Sequence, residues 1–517
     1  MEIPNIRPGT IPPDHVAPDS LKGIPRQQTK HARWSGQGWQ EFVASLRDKN
    51  IIVREDRAAC SIYITDGGGM ACALPHGIAR AESSRQISDI LKAAQTYKVP
   101  IKVRGGALTT EGESVAFGGL LLDMTGMSGV IGIDKKNLTA RTQAGIYWHS
   151  FAEVLRRQDL DYLSAPLNLT ASIGGTLSVG GIDVNSPKHG CSADQATALQ
   201  VVTPTGEIVE CSEIENRELF ERVLLGYGQF GVITEATLRI RPFCPISMHY
   251  FYYKDLRTAL EDMMRMCRED AADYIGILTM LDRAINLLVA FDSNEREQEF
   301  FARHKHRVRG HGEAGFAIKM ASYYALRPWK IKEAIYLLDR KRCLMPEFSP
   351  EQHMANNKIV DRAVVFSRSV WKHWGGKQMV IPDIATSEEK FIEAVVRGNE
   401  VCKKYFPRYT LYCVGIKLRK GLQRYEMSCI PPDATDIAYG CEFEPMLENR
   451  IYSMDYLQSF KNEIYDIGVD MKTSYYRFGG MMKGYIRRVF GDELVDKHLE
   501  MKRAADPSMI LNTDIIF

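Results

Sequence analysis

The chain has 517 residues, 45% hydrophobic and 25% charged, the mix expected of a soluble globular protein. Lysine plus arginine number 66 and aspartate plus glutamate 64, so no global charge points to nucleic acid or a membrane surface. At roughly 150 residues per domain the length suggests about three units, or two large ones. No stretch approaches the ~18 uninterrupted apolar residues of a membrane span.

Met1 to Pro25 is rich in proline and charge and has no apolar run of the secretory type. The 11 cysteines are scattered and none is in C-x-x-C spacing, so neither a zinc nor a dithiol site is expected. Free thiols in a reducing cytoplasm are expected instead.

Residues 1 to about 50 read as an irregular arm followed by a short helix at Trp39 to Leu46. Ser83 or Ser84 then caps a helix in which Ile87, Ile90, Leu91 and Ala94 recur at i, i+3, i+4, i+7. A short strand, Val99 to Val103, runs into Arg104, Gly105 and Gly106. Ser150 and Glu153 match a capping box and predict a helix starting there, with Phe151, Val154 and Leu155 on one face. Leu199 to Thr203 and Glu207 to Glu210 predict a hairpin across Pro204–Thr205–Gly206. Asn216 predicts a cap for a helix through Leu225, and Val232 to Ile240 predicts a strand ended by Pro242. After Pro245 the composition shifts to Tyr, Trp, Met and Arg, which predicts a second domain. The last segment, from Ser474, holds the Gly479–Gly480 turn, a helix and a short apolar end.

Gly226–Tyr227–Gly228–Gln229–Phe230–Gly231 fits G-x-G-x-x-G, but a dinucleotide turn must follow a strand and open a helix. Here a helix comes before and a strand after, so that reading is set aside. Two other glycine runs are more informative: Arg104–Gly105–Gly106–Ala107, and Gly174 to Gly181 ahead of the Pro187–Gly190 turn. Either alone is an ordinary tight turn. Together they suit a large phosphate-bearing cofactor, because glycine lets a ligand approach the main chain. His304, His306 and His311 lie in a basic stretch with no acidic or cysteine partner and read as a solvated loop. Lys188–His189 reads as part of a hydrogen-bonded turn. Glu442 and Glu444 alternate on one strand face, either as two solvated carboxylates or as a base facing a pocket.

The same residues carry a resemblance. Val103–Gly106, Ser172–Ser178, Lys188–Gly190 and Gly228–Thr234 resemble the FAD-binding domain of the vanillyl-alcohol oxidase / p-cresol methylhydroxylase (PCMH) superfamily, most closely its cytokinin dehydrogenase branch. Asp506 to Phe517 resembles the family's C-terminal signature. The resemblance implies an α+β chain: a two-part PCMH-type FAD-binding domain over 1–245 with an N-terminal arm over 1–50, an α+β cap or substrate domain over 246–470, and a C-terminal segment, 471–517, returning to the FAD domain. Family positions that touch FAD fall on Val103, Arg104, Gly105, Gly106, Ala107, Leu108, Thr109, Glu113, Leu167, Ser172, Gly174, Gly175, Ser178, Val232 and Ile233.

Two departures matter. The family histidine that links covalently to the flavin is replaced by Leu108, so FAD is expected to be held without that bond; Cys191 is the nearest alternative nucleophile. The position of the cytokinin dehydrogenase base is Leu167, which cannot accept a proton. The expected function is an FAD-dependent oxidoreductase taking a hydride from a C–H next to N or O of a small or medium molecule. Tyr476, Arg477 and Glu442 are the catalytic candidates, with Arg477 binding an anionic substrate rather than acting as base. A redox-neutral flavoprotein and a flavin-free binding protein stay open. The cap is expected to contribute aromatic and cationic groups, exemplified by Tyr323, Tyr324, Trp329, Trp371, Trp374, Tyr475 and Tyr476. Partners expected are a small-molecule substrate, with no nucleic acid, no membrane and no metal, and a homodimer left open.

Overall fold

The computed structural model describes residues 36, 38–69, 71–244, 247–280, 284–304, 380–420, 427–445, 447, 452–477 and 484–512. The N-terminal arm before residue 36, His306, His311, Tyr323, Tyr324, Trp329, Trp371, Trp374, Gly479 and Gly480 lie outside the described residues.

The first half is built on two sheets. In the smaller, β1 (Gly77–Arg80), β2 (Ile101–Arg104) and β3 (Leu120–Asp123) run parallel in the order β1-β3-β2. Its Leu120, Leu121 and Leu122 are fully buried, the continuous apolar run that a strand covered on both faces requires. Helix α1 (Trp39–Arg47) packs on α2 (Ser84–Tyr97) in the same core. Ser83 caps α2 by accepting the Gln86 N–H, and Ile87, Ile90, Leu91 and Ala94 form its buried stripe.

The second sheet is antiparallel: β4 (Val130–Asp134), β5 (Thr139–Gln143), β6 (Leu160–Tyr162), β7 (Ala196–Val202), β8 (Ile208–Ser212) and β9 (Val232–Pro242). The long β9 pairs with β5, β6 and β7, and alternate residues along it are buried. Three local expectations are corrected here. Helix α3 (Trp148–Arg156) starts two residues before Ser150, and no side chain caps it. Its first N–H groups, on Trp148 and His149, donate instead to the carbonyls of Ala171 and Leu169, so tertiary contacts replace the capping box. The second glycine run is not a turn: Ile173–Val179 is a helix, α4, capped by Ser172. Asn216 takes a left-handed conformation (φ 47°) and makes no side-chain cap for α5 (Arg217–Val223).

A third, six-stranded antiparallel sheet follows: β10 (Ser247–Tyr253), β11 (Tyr274–Met280), β12 (Ala284–Phe291), β13 (Asp383–Thr386), β14 (Tyr409–Lys417) and β15 (Ile437–Pro445), in the order β10-β12-β11-β14-β15-β13. Helix α6 (Leu256–Arg268) packs on β11 and β12, and α7 (Glu388–Tyr405) packs on β15 and on α8 (Met454–Met471). The third sheet is tied to the first half at several points, among them two buried ones. Ile275 N–H donates to the Val184 carbonyl, and Lys188 pairs with the fully buried Asp273.

The chain then returns to the small sheet. Ile101 N–H donates to the Ile510 carbonyl, and the Ile101 carbonyl accepts from Asn512 N–H. Lys502, on α9 (Asp492–Ala505), is fully buried and donates to Asp506 and to the carbonyls of Gln229 and Leu511. The Gly226–Gly231 segment is thus a receptor for the chain end, with Gln229 and Gly228 both bonded to Asn512. Among the described residues no helix is long and apolar enough to cross a membrane.

Lys502→Met would leave Asp506 buried without its cation. A loss of about 3–5 kcal/mol is expected for breaking one side of a buried pair, read as a lower urea midpoint at unchanged slope.

Candidate active site

A cavity of about 590 Å³ lies between the glycine runs and the third sheet. Val103, Gly105, Gly106, Ala107, Leu108, Thr109, Glu113, Leu167, Ser172, Gly174, Gly175, Ser178, Val232 and Ile233 all line it, as do Tyr476, Arg477 and Glu442. Arg104 does not. Its guanidinium turns away and donates to the carbonyls of Tyr63, Thr65 and Ser114, so it braces the loops behind the cavity.

The two glycine runs meet at Ser172. Its Oγ accepts from Gly106 N–H at 3.3 Å and Gly175 N–H at 3.4 Å. A Cβ at Gly105 would sit 2.0 Å from that oxygen, and one at Gly106 would sit 2.7 Å from the Thr170 carbonyl. The loop after β2 is held from its outer side. Gly67 and Gly68 donate to the carbonyls of Ala107 and Thr109, and Asp66 accepts from the Thr109 hydroxyl and Gly112 N–H. Ala107 takes a left-handed φ of 55° in this loop. Burial, and next the charge of Glu113, push Asp66 up to about 7 against those hydrogen bonds.

The opposite wall comes from the third sheet. Pairing places Asp383 of β13 beside Glu442 of β15, and Glu442 beside Tyr412 of β14. The next row pairs Glu444 with Thr410, whose hydroxyl donates to the Glu444 carboxyl at 3.0 Å. Arg477 bridges Asp383 at 2.9 Å and Glu442 at 2.7 Å. Burial works against the guanidinium charge, but Glu442 and Asp383 more than offset it and hold its pKa above the ordinary value. Burial raises Asp383 to about 6, opposed chiefly by Arg477. Burial and the charge of Glu442 push Glu444 up to about 8.

Several expectations change. Glu442 and Glu444 are not solvated carboxylates; both line the cavity. Arg477 already has two carboxylate partners, so its charge is matched within the protein. The described wall carries the aromatic rings of Tyr412 and Tyr476, but its charge is mainly acidic rather than cationic. Tyr475 is fully buried and absent from the lining; its hydroxyl donates to the Tyr465 carbonyl. Cys191 is also fully buried, donates to Asp194 and does not reach the cavity. Asp383, Tyr412, Glu444 and Asn512 are site residues that the candidate list lacked. The Glu442-x-Glu444 alternation was a usable signal for Glu444. Asp383 and Tyr412 carry none, because only sheet register brings them to the site.

A cavity with side-chain-free backbone on one side and a polar sheet wall on the other defines a large-cofactor site open to a second molecule. Residues 75–212 match the FAD binding domain family. Over 213 residues the chain is 32% identical to an uncharacterized oxidoreductase, ORF5 in the fasciation locus, of Rhodococcoides fascians, covering 41% of this chain and 48% of that protein. It is 30% identical over 233 residues to cytokinin dehydrogenase 2 of Arabidopsis thaliana, covering 44% and 46%. It is 26% identical over 255 residues to a D-lactate dehydrogenase of Anaerostipes hadrus, covering 44% and 54%. The match thus spans about half the length of these relatives. The chain carries an FAD binding domain of the PCMH type and is related, over that part, to the cytokinin dehydrogenases.

The residues present fit FAD. The volume lies within the ~300–1,000 Å³ range of cofactor and ligand pockets. Glycine backbone forms the cradle, while Asp383, Glu442 and Glu444 belong to the sheet wall and not to the glycine segments. The two helix glycines differ in what a side chain would meet. A Cβ at Gly174 would lie 2.9 Å from the Ala144 Cβ, whereas one at Gly175 would meet only the Ser172 Oγ, at 3.0 Å. Gly175→Val is therefore expected to lose FAD while keeping its circular dichroism, and Gly174→Val to lose both.

The raised carboxyls set a pH dependence of stability. Across pH 6.5 to 8.5 the folded chain still holds protons on Asp66, until about 7, and on Glu444, until about 8, that the unfolded chain has already released. Stability is thus expected to fall as pH rises through 7 and 8. Burial lowers His189 to about 4 and His498 to about 3, which costs stability only below about 6.5. Thermal melts of Glu444→Gln should show a flatter decline, by about 2 kcal/mol over that window.

Proposed function

We propose that the protein is an FAD-dependent oxidoreductase acting on a small or medium organic molecule with a C–H next to N or O. The observation that carries this reading is one continuous cavity shared by the glycine segments and the Asp383–Glu442–Glu444 wall. FAD, when bound, supplies a two-electron acceptor for a hydride from such a carbon. The oxidoreductase and dehydrogenase names of the relatives agree with that chemistry.

The chain's own residues supply orientation and proton handling. Arg477 is fixed between Asp383 and Glu442 and acts through them, setting the Glu442 carboxylate in place rather than capturing a free anion. Tyr476 anchors the wall: its N–H donates to Asp383, and its hydroxyl oxygen accepts from Gly181 N–H at 3.1 Å. Burial pushes that phenol far above its ordinary pKa, so it holds its proton and serves as a positioning group. Ile384, Val414 and Ile416 give the same wall apolar surface that excludes water.

FAD is held without a covalent bond in this reading. Leu108 has no nucleophile to offer, and Cys191 is buried away from the lining. Acid precipitation of the yellow protein should release all its colour into the supernatant; colour kept in the pellet would count against it. Anaerobic mixing with substrate should bleach the flavin, whereas a redox-neutral flavoprotein would turn substrate over with its spectrum unchanged.

A further inference from the structure

We infer that Glu444 is the catalytic base, accepting the substrate's N–H or O–H proton as one member of a carboxyl pair with Glu442. The inference rests on the oxidoreductase reading above. Its geometric basis is the sheet register. Glu442 and Glu444 are two residues apart on β15, so both side chains leave the same face. That face lines the cavity. Glu442 is committed to Arg477, and Asp383 is committed to Arg477 and the Tyr476 N–H. Among the described residues no cation pairs with Glu444; Thr410 donates one hydrogen bond to it. The other charged or titratable groups that line the cavity with it, among the described residues, are Glu442 and Cys441 on its own strand, Tyr412 on β14, Asp383 on β13, Tyr476 and Arg477 after α8, Tyr227 before β9, and Glu113 from the loop beyond β2.

Charge decides the substrate class. Among the described lining residues there are four carboxyl side chains, and Arg477 is the single cationic one. Arg477 is neutralised by its two partners. Against the described lining an anionic substrate would meet repulsion with no unmatched cation, whereas a neutral alcohol or an amine would meet an acceptor. The step balances as follows. The X–H proton (X is N or O) passes to the Glu444 carboxylate, and the neighbouring C–H leaves as hydride to oxidised flavin. The products are C=X, reduced flavin and a protonated Glu444. Burial and Glu442 hold Glu444 near 8, so the acceptor form grows as pH rises through that value.

The test uses the full chain loaded with FAD. Infrared difference spectra are followed from pH 6 to 10, and anaerobic bleaching is measured with benzylamine, benzyl alcohol and mandelate as probes. A carboxylic C=O band should titrate near pH 8. It should vanish in Glu444→Gln and titrate lower in Glu442→Gln, which removes the neighbouring charge. Benzylamine or benzyl alcohol should bleach the flavin, mandelate should not, and Glu444→Gln should slow bleaching about 100-fold or more while keeping its colour. A band titrating near 8 that survives in Glu444→Gln, unslowed bleaching in that variant, or bleaching by mandelate overturns the inference. A wild-type flavin that stays oxidised with the two probes that carry no carboxylate, benzylamine and benzyl alcohol, while the band still titrates near 8 overturns the oxidoreductase reading itself, and the base role with it.

Discussion

At Ser172 two stretches of backbone approach so closely that no side chain fits between them. The Gly105 position could not carry a Cβ without running into the Ser172 hydroxyl, and Gly106 faces the Thr170 carbonyl just as closely. One serine oxygen receives N–H groups from both runs, which fixes the loop after β2 against the first turn of α4. The small parallel sheet is thereby tied to α4 through one side-chain hydroxyl. The lining contributed by the two glycine runs takes its position from that junction. Arg104 and Asp66 serve it from behind, by bonding the loop's outer edge rather than any ligand.

The opposite wall is governed by charge. Three carboxyls and one guanidinium converge on neighbouring strands, and burying them requires that each be paired, hydrogen-bonded or protonated. Arg477 satisfies Glu442 and Asp383 together. Glu444, one row further along β15, is left with a hydroxyl donor and a neighbouring negative charge, and its raised pKa is the result. The same burial that places these groups beside an apolar surface gives one of them a proton affinity near neutrality, where proton transfer is most useful.

The chain end completes the enclosure. Residues 510–512 run beside β2, and Asn512 reaches both Gly228 and the cavity lining. The buried Lys502 holds α9 to the Gln229 carbonyl and to Asp506. A glycine pattern that looks like a dinucleotide turn thus serves a different purpose: its open backbone accepts a returning strand end.

Much of the first half could be read from contiguous residues. Periodicity gave α2, the Pro204–Gly206 turn gave its hairpin, and the two glycine runs pointed to the cofactor, because φ preferences, side-chain absence and amphipathic spacing are local properties. The start of α3 was misread because its first N–H groups find partners in residues 169 and 171, beyond any local window. The glycine run of α4 looked like a turn because its helix owes its stability to a serine cap and to packing, not to propensity. On the substrate side the sequence offered Glu442, Tyr476 and Arg477 as isolated candidates, and Glu444 only through its alternation with Glu442. Their relations were decided by tertiary structure. Asp383, Tyr412 and Glu442 form a row only because β13, β15 and β14 pair in one register, and the partners of a buried charge are set by that pairing, not by distance along the chain.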